Sequence, residues 1–200
     1  MSVIEIDGLT KDYGNQKGLF DVSFTIEKGV ILGFLGPNGS GKTTLIRHLM
    51  GFIKPDQGSV SIMNLDCFAQ SPKIQEMVGY LPGEIAFMDE MRGIDFIKFI
   101  AEMKKIKDLT RAKELIDFLE LDPTNKIKRM SKGMKQKIGL VIAFMQDCPI
   151  LILDEPTSGL DPLMQNKFVE LIKRAKAEGK TVLMSSHIFE EIENTCDRVV

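Results

Sequence analysis

The sequence contains no tryptophan, two tyrosines, two histidines and three cysteines among its 200 residues. The cysteines, Cys67, Cys148 and Cys196, are odd in number, far apart and without CxxC spacing. They therefore read as small apolar residues of a reducing compartment, not as a disulfide framework or metal cluster. No stretch reaches the roughly 18 consecutive apolar residues that a spanning helix needs. The start, Met1-Ser2-Val3-Ile4-Glu5-Ile6-Asp7, has neither a basic region nor a continuous apolar one, so no signal peptide is expected. An excess of one charge is also missing: Lys+Arg 26 against Asp+Glu 28 leaves −2, which is no basic footprint for nucleic acid or anionic lipid. Internal repeats and low-complexity tracts are absent too. These absences leave a folded cytosolic protein as the expectation.

A hydrophobic fraction of 44% with 27% charged residues is ordinary globular usage and excludes disordered, collagenous and coiled-coil chains. A chain of this length is one domain, able to bury roughly 70% of its unfolded surface without staples. Val3–Asp7 and Leu19–Ile26 read as strands, separated by a turn over Lys11–Asn15. Val30–Leu35 is almost wholly apolar, the pattern of a strand buried on both faces. A glycine-rich loop, a helix from Thr43 to Met50 and a C-terminal glycine, Gly51, follow.

Residues 58–63 predict another short strand, and the character turns helical from about 85 to 147. There Ile94, Phe96, Ile97, Ile100 and Met103 have helical spacing, and Thr110 and Ser131 are candidate caps. Ile150–Leu153 and Thr181–Ser185 are two further buried strands. Between them Asp161-Pro162 opens a helix that ends before Gly179. The fold expected is a parallel α/β core with a helical insertion. The final Val199-Val200 reads as a strand just beginning, which predicts a domain that continues beyond it.

Gly36-Pro37-Asn38-Gly39-Ser40-Gly41-Lys42-Thr43 fits G-x-x-x-x-G-K-[ST], directly after a buried strand and before a helix. In that setting successive backbone N–H groups converge on phosphates, and the helix N-terminus adds a favourable dipole. Lys42 would neutralise the outer phosphates and the Thr43 hydroxyl would ligate Mg²⁺, with Thr44 next on the same helix. A chance glycine turn of this form has odds on the order of 1% in a chain of this size. Asp154 and Glu155 then stand at the carboxyl end of the strand Leu151-Ile152-Leu153, where open α/β sheets bind ligands. Asp154 suits Mg²⁺, and Glu155 suits the polarisation of an attacking water. A solvated strand end before Pro156 would serve as well, so the pairing with the cradle decides.

Met130-Ser131-Lys132-Gly133-Met134-Lys135-Gln136-Lys137 completes a set of motifs that resembles the nucleotide-binding domain of an ABC transporter. Ser131 by itself would be only a helix cap. The resemblance implies a P-loop NTPase (RecA-like) α/β fold with a mostly parallel sheet, an N-terminal antiparallel β subdomain and a helical subdomain at about 85–147. It implies that Ser131, Gly133 and Met134 bind the γ-phosphate of a nucleotide held by another subunit, with Lys132 and Met134 departing from the commonest signature. By the same resemblance Asp161 belongs to a loop that crosses to that subunit, His187 is the switch residue near the γ-phosphate, and Tyr13 stacks on adenine. His48, the other histidine, is structural. After Tyr80-Leu81-Pro82 the family's glutamine is missing, and Glu84 is the residue expected to replace it at Mg²⁺.

The function so implied is ATP hydrolysis, with ATP and Mg²⁺, by a domain that dimerises and powers a transmembrane permease from the inner face of the cell membrane. The signature variant resembles exporters of drugs, antibiotics or ions. Two rival readings are a soluble cassette of translation or DNA repair, and a P-loop kinase. The first lacks its tandem cassette, its coiled coil and a basic surface here. The second has no use for the signature or the switch histidine.

Overall fold

A computed structural model of the protein describes residues 1–15 and 17–200. Two sheets share the chain. The first is antiparallel, in the order β2-β1-β4-β5, from β1 (Ser2–Asp12), β2 (Gly18–Glu27), β4 (Gln57–Ile62) and β5 (Leu65–Asp66). The second is parallel, in the order β6-β7-β8-β3-β9, from β3 (Ile31–Leu35), β6 (Val78–Leu81), β7 (Ile150–Asp154), β8 (Thr181–Ser186) and β9 (Arg198–Val199). The continuous apolar runs take the middle of the parallel sheet because its strands are covered on both faces. All five residues of β7 and all six of β8 are buried.

Helix α1 (Lys42–Leu49) follows β3, with Gly51 beyond its end at φ 70°. Helix α2 (Ser71–Met77) runs straight into β6. The helical insertion is α3 (Gly93–Met103), α4 (Thr110–Phe118) and α5 (Lys132–Met145), with a short 3₁₀ turn at Ile127–Arg129. Helix α6 (Pro162–Ala177) links β7 to β8, and α7 (Phe189–Glu193) follows β8. One apolar cluster lies between the parallel sheet and the insertion, and a second joins the antiparallel sheet to α1.

Several expectations needed correction. Lys11 and Asp12 belong to β1 and not to the turn, because Gly8 (φ 58°) and register shifts let that strand bend and continue. Thr110 is the first helical residue of α4. Its N–H and hydroxyl both donate to the Asp108 carboxylate, so Asp108 holds that helix start. Met103 has helical spacing yet is 65% exposed, since α3 buries Phe96, Ile97 and Ala101 instead. Helix α2, strand β6 and helix α7 had no sequence expectation at all.

Candidate active site

The register of the parallel sheet assembles the site. Leu35, the last residue of β3, pairs with Ser186, and Asp154, the last residue of β7, pairs with Ser185. The loops leaving β3, β7 and β8 therefore emerge side by side at one edge, the carboxyl end where α/β sheets bind ligands.

The loop after β3 is shaped by its own backbone. Gly39 and Gly41 have φ of 85° and 98°, a region costly to any residue with a Cβ. At Gly41 a Cβ would also stand 2.5 Å from Leu19 Cδ2. Lys42 is 5% exposed, and its ammonium donates to Gly36 O (2.6 Å) and Pro37 O (3.1 Å). A cavity of about 460 Å³ opens here, lined by Asn38, Gly39, Gly41, Lys42, Thr43, Thr44 and Glu155, with Tyr13 at its rim. Its size lies within the small-molecule range.

Two carboxylates close the floor. The Thr43 hydroxyl donates to Asp154 Oδ2 at 2.9 Å, and the Ser185 hydroxyl donates to Oδ1 at 2.5 Å. The Glu155 N–H donates back to Ser185 Oγ at 3.0 Å. Glu155 itself has φ 49°, a left-handed conformation that costs a residue with a side chain about 1–2 kcal/mol. That bend turns its carboxylate toward the cradle. Oε2 lies 2.7 Å from His187 Nδ1, while Oε1 is buried, 3.4 Å from Lys42 Nζ and without a hydrogen-bond donor. A buried acceptor of this kind calls for a donor such as the O–H of a water. Nearby, burial and then the Asp154 carboxylate push the Tyr80 phenol up to about 12, so it stays neutral.

The Thr43 hydroxyl and the Asp154 carboxylate offer hard oxygen ligands. Among the described residues no cluster of three or more His, Cys, Asp or Glu is spaced to hold a metal. The pair suits an ion that keeps most of its shell as water and phosphate oxygen, which is the habit of Mg²⁺.

Other candidates lie elsewhere. Ser131 caps α5, accepting from Met134 N at 3.2 Å, and Asp161 caps α6, accepting from Met164 N at 2.9 Å. A Cβ on Gly133 would stand 2.7 Å from Gly159 O, so the start of α5 packs on the loop after β7. None of these residues borders the cradle cavity. Glu84 is exposed and borders a different cavity with Lys132, Lys135 and Gln136, whereas Gly83 backs onto Asp154, a Cβ there standing 3.1 Å from Oδ2. His48 is buried in the last turn of α1, its Nδ1 3.1 Å from Ile53 O. Sequence reasoning missed Ser185 and Gln136. Ser185 sits on a strand already read as buried, and a buried hydroxyl at a strand's carboxyl end is the signal that could have found it.

A family model described as ABC transporter matches residues 19–158. An uncharacterised ABC transporter ATP-binding protein, YdbJ of Bacillus subtilis (strain 168), is 39% identical over 99% of this chain and 65% of its own length. The linearmycin resistance ATP-binding protein LnrL of the same organism is 32% identical over 98% of this chain and 65% of its own length. The chain thus spans 65% of the length of each of these relatives. Among solved structures, one described as the ATP binding subunit of an ABC transporter superposes with a TM-score of 0.88. It is 30% identical and covers 98% of this chain and 84% of that one.

Proposed function

This chain belongs to the ABC transporter family, as one of its ATP-binding proteins, and we propose that it hydrolyses ATP to power transport, in the export direction, by a separate membrane permease. The observation that carries this reading is the Glu155 carboxylate, held by His187 on one oxygen and leaving the other buried beside Lys42 without a donor. Backbone N–H groups of residues 36–43 receive the phosphates, and Lys42 trades its carbonyl partners for phosphate oxygens. Tyr13 at the rim offers a ring face to the base. Thr43 and Asp154 would hold Mg²⁺, with Glu84 as a further candidate, and the ion when bound would supply neutralisation of phosphate charge. Glu155 Oε1 orients the attacking water and takes its proton as the bond from γ-phosphorus to the ADP oxygen breaks. His187 keeps that carboxylate aimed.

The cradle cavity has no border from Ser131, Gly133, Met134 or Asp161, which supports a site completed by the signature helix of a second copy. Residues 1–200 then act as one nucleotide-binding domain with a helical subdomain at about 85–147. The net charge of −2 speaks against a nucleic-acid partner. No helix among the described residues is long and apolar enough to cross a membrane, which is compatible with attachment to the inner face of the cell membrane through a permease. The similarity to LnrL, a linearmycin resistance ATP-binding protein, and the signature variant support export.

Lys42→Ala tests the cradle. Removing an ammonium that bonds phosphate should weaken ATP binding by about 100-fold, with the thermal transition retained. Titration calorimetry that finds wild-type affinity in the folded variant would overturn the assignment.

A further inference from the structure

Glu155 holds its left-handed conformation in a loop with two turn bonds of its own, Ser158 N–H to Glu155 O at 3.1 Å and Leu160 N–H to Thr157 O at 3.0 Å, and side chains from other elements brace it further. The first turns of α5 meet that loop. Gln136 is 6% exposed, and its side-chain amide donates to two successive carbonyls, Glu155 O at 3.3 Å and Pro156 O at 2.9 Å. Four residues earlier on the same helical face, Lys132 Nζ donates to Ser158 Oγ at 2.8 Å, and the stem of Lys132 lies against Gly159. Between them, Gly133 lets the helix approach Gly159 O more closely than a Cβ allows.

We propose that Gln136 is a positioning residue for Glu155. Among the described residues no other side chain donates to those two carbonyls, and the Glu155 carbonyl shares its second lone pair with Ser158 N–H. A carbonyl that leads out of a residue at φ 49° fixes that residue's peptide plane, and with it the direction in which the side chain leaves the backbone. Gln136 thereby sets where the Glu155 carboxylate stands relative to Lys42 and His187. Since Gln136 rides on the helix that Ser131 caps, the helix start proposed to serve a second copy's nucleotide is joined side chain to backbone to this chain's own Glu155. The inference rests on the proposed role of Glu155 and extends it to a residue outside the cradle.

Gln136→Met keeps the length and packing of the side chain and removes both donors. Displacing a catalytic group by about 1 Å costs as much as 100-fold in rate, so kcat for Mg·ATP hydrolysis should fall by about 10- to 100-fold while KM and the calorimetric affinity for ATP stay within about twofold. In a Glu155→Gln background the same substitution should lower the residual rate by less than about twofold, since a residue acting only through Glu155 has nothing left to position. A general structural role would give the same fractional loss in both backgrounds and would overturn the proposal, as would wild-type kcat in folded Gln136→Met. Should that variant fail to fold, Gln136→Asn keeps the amide but shortens its reach. A drop in kcat at unchanged KM is then expected, and wild-type kcat overturns the assignment. If Glu155→Gln alone hydrolyses ATP at the wild-type rate, the fault lies in the role given to Glu155 and not in the contact with Gln136.

Discussion

The loops after β3 and after β7 face each other across one site but are held by different means. The loop after β3 is shaped by glycines at positive φ and closed by its own carbonyls around Lys42. The loop after β7 has two turn bonds of its own and is otherwise held by side chains from distant elements. Gln136 and Lys132 reach it from α5, Ser185 from β8, and Glu191 of α7 accepts from Thr157 at 2.5 Å. A backbone-built loop encodes its shape within eight residues of sequence. A loop built by side chains encodes its shape across some sixty, from Lys132 to Glu191. The first can be recognised from a motif, while the second needs the fold before it has a shape.

If that contrast holds, the largest effect should come where the second loop does chemistry. Glu155→Gln keeps size and reach but removes the proposed base, and should cost 10²–10⁴-fold in hydrolysis, roughly 3–5 kcal/mol of barrier, with ATP affinity retained. Phosphate release and calorimetry measure the two quantities. The closed, ATP-bound dimer should accumulate on a sizing column, because the repulsion between that carboxylate and the γ-phosphate is gone.

The backbone-built loop should break through geometry instead. Gly41→Ala combines a φ of 98° with a Cβ 2.5 Å from Leu19, whereas Gly39→Ala has a similar φ of 85° and open space around it. Each should lose about 1–2 kcal/mol to the left-handed backbone, with Gly41→Ala the worse in both thermal midpoint and ATP affinity. Equal losses at the two positions would mean that the packing on Leu19 is irrelevant to the cradle.

The smallest effect lies at the far end of α1. Burial, outweighing the bond to Ile53 O, holds the His48 imidazole below its ordinary value; Lys11 lowers it further and Asp56 opposes. The unfolded chain then takes up a proton at His48 more readily than the folded one. The stabilisation is present above the unfolded value of about 6.5 and is lost as pH falls below it. Between roughly pH 7.5 and 5.5 the thermal midpoint of wild type should fall more than that of His48→Phe, whose ring fills the space without titrating. Parallel curves would remove His48 as the cause.

Much of the architecture was legible beforehand. The runs Val30–Leu35 and Ile150–Leu153 announce strands because a parallel sheet buries both their faces. Ser131 and Asp161 announce helix starts because their side chains satisfy amides that no helical carbonyl can reach. The failures have equally plain causes. Helix α2 gives way to β6 at Met77–Val78 with no glycine, proline or polar turn between them, so nothing punctuates the change. Strand β6 carries Gly79, a poor strand former in isolation, because Ala143 O lies 2.3 Å from where a Cβ would be. Thr110 has the chemistry of a cap, but its N–H and its hydroxyl both donate to Asp108 two residues earlier, so it enters the helix as the first residue.

At the site the division is sharper still. From sequence alone follow the cradle, its lysine, the two acids and the helix cap, because each depends on neighbours a few residues away. Only the tertiary structure decided that Asp154 is shared between Thr43 and Ser185, that Gly83 backs onto Asp154, and that Gln136 grips the carbonyls at Glu155. The reason is physical. Backbone conformation and capping are settled by local sterics and local hydrogen bonds. The partner of a buried side chain is settled by which strands lie adjacent and in what register, and that is a property of the whole packed sheet.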